Sequence, residues 1–590
     1  ASENIIIGPS AGLALTTGSN NIIVGQRAGD TITTGSLNVM VGDGAGGNAA
    51  VDTGGSTLIG YGAGSGVSGS SMTIIGSGAG GSVNSAGETV IVGADAGRNV
   101  TGSNNVILGF AAMGDGAGAA ANNVSIGYKS LEVATSNNNI GIGYQAGDSI
   151  TTGQGNTIIG AYAGQSFDTE SYVTVVGQDA FQNAVGDQYA IAIGYRALAD
   201  SAATGGQNVA MGQSAGRYFG AGTSDSVVIG GSAGAGSAST AFGGSSVVAI
   251  GGNAVQDLVS GSYTIGIGRN ALSNTISGQT SIAIGANAGQ NALNIHAGIF
   301  IGDGAGRGAG GGATAGIKSY YDIAIGYQAG MRFGSGATDT YSNVAIGPDA
   351  MGQTVTGNYN VAIGHGAASG AADVGDESIS IGYLAGKLNT GNYNVYIGGG
   401  AGAAATSTSN TVIIGRQAGG GATLTGVSNT FIGAGAGYGA TSAQKSVIIG
   451  TNAGYALGSH AGSTIVGFEA GRFLDAGSGG SVAIGHQALY SGTQNYQDVA
   501  IGYNAGRKAT GGSANNVYIG SAAGPSVAGA VSNQLYIHNA EGTPLIGGDF
   551  SAGTVTIDGT LSATAKSFNI AHPLYKDKRL VHGSLEGPEH

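Results

Sequence analysis

The chain has 590 residues, with 121 Gly, 6 Pro and no Cys; only 9% of its residues are charged, and its formal net charge is −13. The missing cysteines exclude a disulfide framework and thiolate metal sites, and the scarce proline excludes collagen. An acidic, charge-poor chain also argues against nucleic-acid binding along its length, and no stretch of 18 apolar residues offers a membrane span.

The opening ASENIIIG is no signal peptide. It lies directly inside a repeat, so an attachment segment upstream is expected. From there one phrase returns thirty times: a β-branched residue, a small or apolar residue, an aliphatic residue, Gly, two variable residues, Ala. Val361-Ala362-Ile363-Gly364-His365-Gly366-Ala367 is one copy, and Ile282-Ala283-Ile284-Gly285-Ala286-Asn287-Ala288 is another. The anchor glycines run from Gly8 to Gly520 in steps of about 17.7 residues. A fixed period of this size predicts a solenoid. The expected fold is all-β, a parallel β-solenoid of about 30 coils, assembled as a homotrimeric rod with a small C-terminal β cap.

Each coil has local rules. Val, Ile or Thr stands three residues before every anchor glycine, as at Ile22, Val209 and Thr464. Ile, Val, Leu or Met stands one before it, and Ala stands three after it in all copies but Ser130. This predicts a short strand, a tight bend at the glycine, and an Ala packed inward at a narrow corner. Turn chemistry follows, as in Gly29-Asp30, Thr34-Gly35-Ser36 and Thr356-Gly357-Asn358. Asn or Ser before the strand, as at Asn4, Asn21, Asn38, Asn105, Asn360 and Asn516, is placed to form side-chain ladders between coils.

The first and third strand residues are expected to face the coil interior and the middle one to face outward. That middle position is apolar along the array: Ile6, Ile23, Ile107, Phe300, Phe431, Ile448 and Tyr518, with Ala in many other copies. Apolar residues on both strand faces imply that both are buried. No other segment could cover the stripe, so these residues are expected to line the axis of a trimer.

Three steps are long: Gly230 to Gly251, Gly302 to Gly326 and Gly326 to Gly347. Insertions in solenoids map to exposed loops. These carry Phe242, Tyr320, Tyr321, Phe333 and Tyr341. Such aromatics either cover a coil end locally or contact a sugar or protein ligand; the second reading makes them candidate receptor contacts, concentrated around 307–321 and 331–341. No catalytic constellation is found. Asp95, Asp148 and Asp179 read as turn caps. Gly435-Ala436-Gly437 lies within a repeat, without the strand and helix a nucleotide fingerprint needs. No enzyme activity, metal or cofactor is expected.

Residues 1–524 therefore form the repetitive shaft. Residues 525–565 change character: Leu535-Tyr536-Ile537, Leu545-Ile546-Gly547-Gly548-Asp549-Phe550 and Val555-Thr556-Ile557 read as three short strands that cap the last coil. Residues 566–590 start a further segment in which charge is concentrated and in which His572, His582 and His590 fall close together.

The NVAIGxxA coils resemble the left-handed parallel β-roll of trimeric autotransporter adhesin heads, with longer repeats here. LYIHN…TPLIGGDF…VTIDGTL resembles a connector in tail-fibre proteins of phages and bacteria, and KSFNIAHPL…RLVHGSLEGPEH is similar to a segment in tail-fibre and structural proteins of cyanophage-like viruses. These resemblances imply an extracellular tail-fibre or tail-spike shaft of a virion. It would be a homotrimer joined to an upstream virion attachment protein and would contact a host cell-surface polysaccharide or protein, without nucleic-acid binding or membrane insertion. The alternative is a bacterial trimeric surface adhesin.

Overall fold

The computed structural model describes residues 2–584 apart from 49–53, 84–86, 116–117, 167, 293, 309–318, 334–338, 355, 372, 460, 475–478, 492–495, 511, 563–565 and 572–578. Among the described residues the chain is all-β, a parallel β-solenoid without helix. Its contacts divide it into two units, Ala1–Asp376 and Glu377–His590.

In unit 1 each apolar phrase forms a three-residue strand, from Ile5–Ile7 to Val361–Ile363. Each strand pairs in parallel with that of the next coil at equivalent positions: Ile5 with Ile22, Ile22 with Val39, Ile282 with Ile299. Unit 2 repeats the arrangement from Ile379–Ile381 to Val517–Ile519. There Gln534–Ile537 adds in parallel to Val517–Ile519, and Ile546–Asp549 and Thr554–Ile557 continue the sheet antiparallel. A separate hairpin joins Lys566–Ala571 to Arg579–Ser584.

The anchor glycine makes this stacking possible. Gly285 has φ +133, a region that L side chains rarely adopt, and a Cβ built on it would lie 2.5 Å from the carbonyl oxygen of Gly302, the next anchor. The backbone itself occupies the space a side chain would need. The Ala three residues later is fully buried, as at Ala28, Ala288 and Ala367. Ser130 fits the same corner because its Oγ donates to the Gly141 carbonyl at 2.8 Å.

The strand orientation is the reverse of the sequence expectation. The middle residues Ile23, Ile107 and Phe300 of unit 1 and Phe431, Ile448 and Tyr518 of unit 2 are fully buried within the single chain. Ile6, on the open face of the first coil, keeps 43% exposure. The first and third residues are the half-exposed ones, for example Ile22, Ile284 and Val447. The six buried middle residues therefore fill the coils and do not line an axis between chains, and Ile6 pairs in register with Ile23 of that column. The physical reason is width: each coil has room for one inward side chain per strand.

The rest of the core shows the same limit. Where the middle residue is aromatic, the fourth residue after the anchor is Gly: a Cβ on Gly306 would meet the Phe300 ring at 2.2 Å, and one on Gly402 the Tyr396 ring at 2.3 Å. Where the middle residue is small, bulk arrives from beyond the anchor. Leu131 packs where a Cβ on Gly141 would stand, and Val255 where one on Gly266 would stand. Phe181, Leu198 and Leu489 are fully buried in coils whose strands carry Val175, Ala192 and Ala483.

An asparagine ladder runs along the stack before the strands. The Asn139 backbone N–H donates to Asn123 Oδ1 at 2.7 Å, and Asn156 N–H donates to Asn139 Oδ1 at 3.0 Å. Asn139 Nδ2 in turn donates to the Gly153 carbonyl at 2.9 Å. Each amide thus satisfies buried backbone groups of the following coil, which would otherwise cost about 1–3 kcal/mol each.

Gly285→Ala should destabilise the protein by more than about 1–3 kcal/mol, the usual scale of one strained backbone residue, because a backbone overlap is added to it. Thermal unfolding checks this, and an unchanged midpoint would contradict the stacked-glycine constraint. A second expectation concerns Asp498, which takes the asparagine column's place in its coil. One of its carboxylate oxygens accepts from the Asn516 backbone N–H at 2.8 Å and from Asn516 Nδ2 at 3.0 Å. The other is buried without a partner. Burial pushes its pKa up to about 6. The folded state then holds the proton more tightly than the unfolded chain, so the stability linked to this group is complete below about pH 4 and is lost as pH rises through about 6. Asp498→Asn should raise the melting temperature at neutral pH and flatten its fall between acid and neutral pH; an unchanged slope would contradict the assignment.

Candidate functional site: an aromatic column on a side sheet

The long steps in unit 1 coincide with a second parallel sheet. Its strands are Gly244–Ser245, Ser260–Ser262, Ser277–Gln279, Asn294–His296, Ser319–Tyr320 and Thr340–Tyr341. Register pairs Ile295 with Ser319, His296 with Tyr320 and Tyr320 with Tyr341. Residues alternate across it as strand geometry requires: Ile295, Ser319 and Thr340 are buried, and His296, Tyr320 and Tyr341 form an outer column.

The Tyr320 and Tyr341 rings stack with centroids 5.0 Å apart and planes within 4°. His296 lies 5.8 Å from Tyr320 and meets Tyr321 edge-on at 5.7 Å. Tyr321 sits at the corner between the sheets with φ +57 and is 56% exposed. A groove of about 170 Å³ beside the column is lined by Ser277, Gln279, Asn294, Ile295, His296 and Tyr320.

One buried carboxylate fixes this surface from beneath. Asp322 Oδ2 accepts from Ser319 Oγ and from Thr340 Oγ1, both at 2.7 Å. Its Oδ1 accepts from the Asn343 backbone N–H at 2.8 Å and from Asn343 Nδ2 at 3.1 Å. The two hydroxyls belong to the residues preceding Tyr320 and Tyr341, so Asp322 ties together the strands that present the rings. Burial raises the Asp322 pKa, and the four hydrogen bonds oppose that rise. At the far end Tyr341 donates its hydroxyl to Asp339 Oδ2 at 3.0 Å. The arrangement is a rigid aromatic surface with polar edges, suited to stacking and hydrogen bonding with a sugar or peptide; aromatic residues of this kind anchor recognition surfaces.

Of the five aromatic contact candidates, Tyr320, Tyr321 and Tyr341 come together here. Phe242 and Phe333 do not: both are fully buried. Phe242 stacks on Phe219 at 5.0 Å inside the coils, and Phe333 fills the space a Cβ on Gly330 would take, 2.4 Å from its ring. Phe219 and Phe333 supply bulk in coils whose strands carry only Ala210 and Ala324, and Phe242 continues the Phe219 stack in the next coil. The insertions themselves, 309–318 and 334–338, lie outside the described residues. Sequence reading passed over His296 and Asp322, although counting six residues back from the anchor glycines places His296, Tyr320 and Tyr341 in one column. Of the acidic residues read as turn caps, Asp95 and Asp179 lie near Arg98 and Arg196 at 3.9 and 3.7 Å, and Asp148 accepts from Gln145 at 3.1 Å. Among the described residues no group of three or more His, Asp and Glu side chains is placed to hold a metal ion.

Asp322→Ala would leave two hydroxyls and the Asn343 backbone N–H without their acceptor, at about 1–3 kcal/mol for each buried group left unsatisfied. The expected result is a lower melting temperature together with a changed near-ultraviolet tyrosine dichroism. A variant with the parent's melting temperature and tyrosine signal would show that Asp322 does not hold the column.

Comparison with models of known protein families, with curated proteins and with solved structures finds no match to this chain.

Proposed function

We propose that the chain is the structural shaft of a bacteriophage tail fibre, a homotrimer that carries contact sites for the host surface. The observation that carries this reading is the outward stripe of the main sheet in each unit. It is built from two β-branched or aliphatic columns, including Ile22 at 40%, Ile284 at 38% and Ile363 at 36% exposure in unit 1, and Val447 at 37% and Ile501 at 40% in unit 2. A soluble chain rarely leaves a long apolar stripe open to water. Copies of the same chain are the economical cover, since cyclic symmetry presents the same stripe from each. The sequence resemblances of residues 533–590 to tail-fibre proteins favour the virion as the setting. Attachment is multivalent in this reading: each Tyr320, Tyr321 and Tyr341 column would occur three times, so that weak single contacts sum to avidity for a surface polysaccharide or protein.

Two measurements test it. Sedimentation should find a trimer in the parent chain, whereas Ile284→Lys, which places a charge in the outward stripe, should yield folded monomers; a monomeric parent, or an unaffected trimer, contradicts the assembly. Antibodies against the purified chain should decorate virion tails in immunogold micrographs and block adsorption. Label on uninfected bacteria instead would assign the chain to the trimeric adhesins.

A further inference from the structure

We propose that unit 2 carries a binding slot for an acidic sugar residue, formed by Tyr383, Gly399 and Arg416. The slot is independent of the fibre reading, because it is measured on the purified chain and either conclusion can fail alone.

The slot arises from a missing side chain in a regular column. The residue after the anchor glycine is Tyr383, then Gly399, then Arg416 in three successive coils. Hydrogen bonds fix their stacking: Gly400 N–H donates to the Tyr383 carbonyl at 2.8 Å, and Gln417 N–H to the Gly399 carbonyl at 2.9 Å. A Cβ built on Gly399 meets no atom within 4 Å. Tyr383 and Arg416 therefore stand two strand spacings apart, about 9.6 Å, across open space. Contact distances of about 3.5–4.0 Å on each side leave room for one ring between them.

The walls define the chemistry. Tyr383 is 60% exposed and offers an aromatic surface. The groove of about 380 Å³ runs over Gly399, Gly400 and Gly420 and ends against Tyr438, within the size range of small-molecule sites. Tyr438 is held in place by stacking on Tyr455 at 4.8 Å. Among the described residues no carboxylate pairs with Arg416. A guanidinium in this position reads carboxylate or sulfate through two parallel hydrogen bonds. An aromatic wall, a glycine floor and an unpaired guanidinium together select a pyranose that carries an anionic group. The comparable glycine-floored groove of unit 1 lacks this selectivity, because its Arg27 guanidinium lies 3.7 Å from Asp43.

Saturation-transfer NMR and titration calorimetry on the full chain test the slot with three probes: a glucuronate-bearing disaccharide, its neutral glucoside counterpart and sodium sulfate. The acidic disaccharide should bind at least about tenfold more tightly than the neutral one, a difference that one charge-assisted contact can supply. Arg416→Gln should abolish that preference. Gly399→Leu should fill the slot and abolish binding of both sugars while leaving the melting temperature unchanged, since Gly399 lies outside the left-handed region and faces open space. Equal affinity for the two sugars, or undiminished binding to the Gly399→Leu variant, overturns the proposal. Sulfate binding as tightly as the acidic disaccharide reduces the slot to an anion site and overturns the part assigned to the ring.

Discussion

Everything in this fold depends on how closely successive backbones approach at the anchor glycine. Gly25 takes φ +137, and a Cβ there would stand 2.3 Å from the carbonyl oxygen of Gly42; the same crowding recurs at Gly160 against Gly177 and at Gly467 against Gly485. The bend sets each coil directly over the last, so strands pair at equivalent positions and every column of the sequence becomes a physical column along the stack. The asparagine ladder and the aromatic columns are consequences of that register. A charge-poor chain without disulfides is thereby held by repeated backbone and amide hydrogen bonds and by a narrow apolar core.

The narrow core in turn decides which aromatics are available for recognition. In each coil the strand turns one side chain inward, and positions beyond the anchor adjust the remaining core volume. Phe300 supplies bulk from the strand, whereas Phe333 supplies it from beyond the anchor in a coil whose strand carries Ala324. Aromatics in the outer columns are then free of core duty. They gather into stacks: Tyr320 on Tyr341 in the side sheet, and Phe110, Tyr128 and Tyr144 at successive distances of 5.7 and 4.9 Å just after their anchors. A side chain missing from such a column, as at Gly399, leaves a slot one coil high. Regular stacking therefore generates two kinds of surface, ribs and notches, from the same rule.

The repeat period, the strand phrase, the glycine bend and the inward alanine were legible in the sequence because each obeys one local steric requirement in every copy. The direction of the strand was not. Both faces of Val361-Ala362-Ile363 are apolar, so alternation alone could not say which face is inside. The deciding signal was a correlation across the anchor: Phe300 with Gly306, Tyr396 with Gly402, and Ala192 with Leu198 show one volume shared between two positions. The coil of Ala324 and Gly330 lacks bulk at both positions, which separates Phe333 from Tyr320 and Tyr341, although loop length alone groups them together. Asp322 escaped notice for a different reason: its role depends on hydroxyls from two neighbouring coils, and no spacing within one repeat reports that.

The absence of native cysteine permits a direct measurement of the orientation on which this account rests. Single substitutions Val447→Cys and Ile448→Cys can be followed by thiol labelling through a denaturant series, with strand dichroism recorded in parallel. Burial of the middle strand residue inside the coil predicts that position 448 stays unreactive until the strand signal is lost, whereas position 447 becomes reactive at or before separation of the subunits. Labelling of position 448 on subunit separation, with the strand signal intact and position 447 still protected, would place the middle residues between chains and contradict the account.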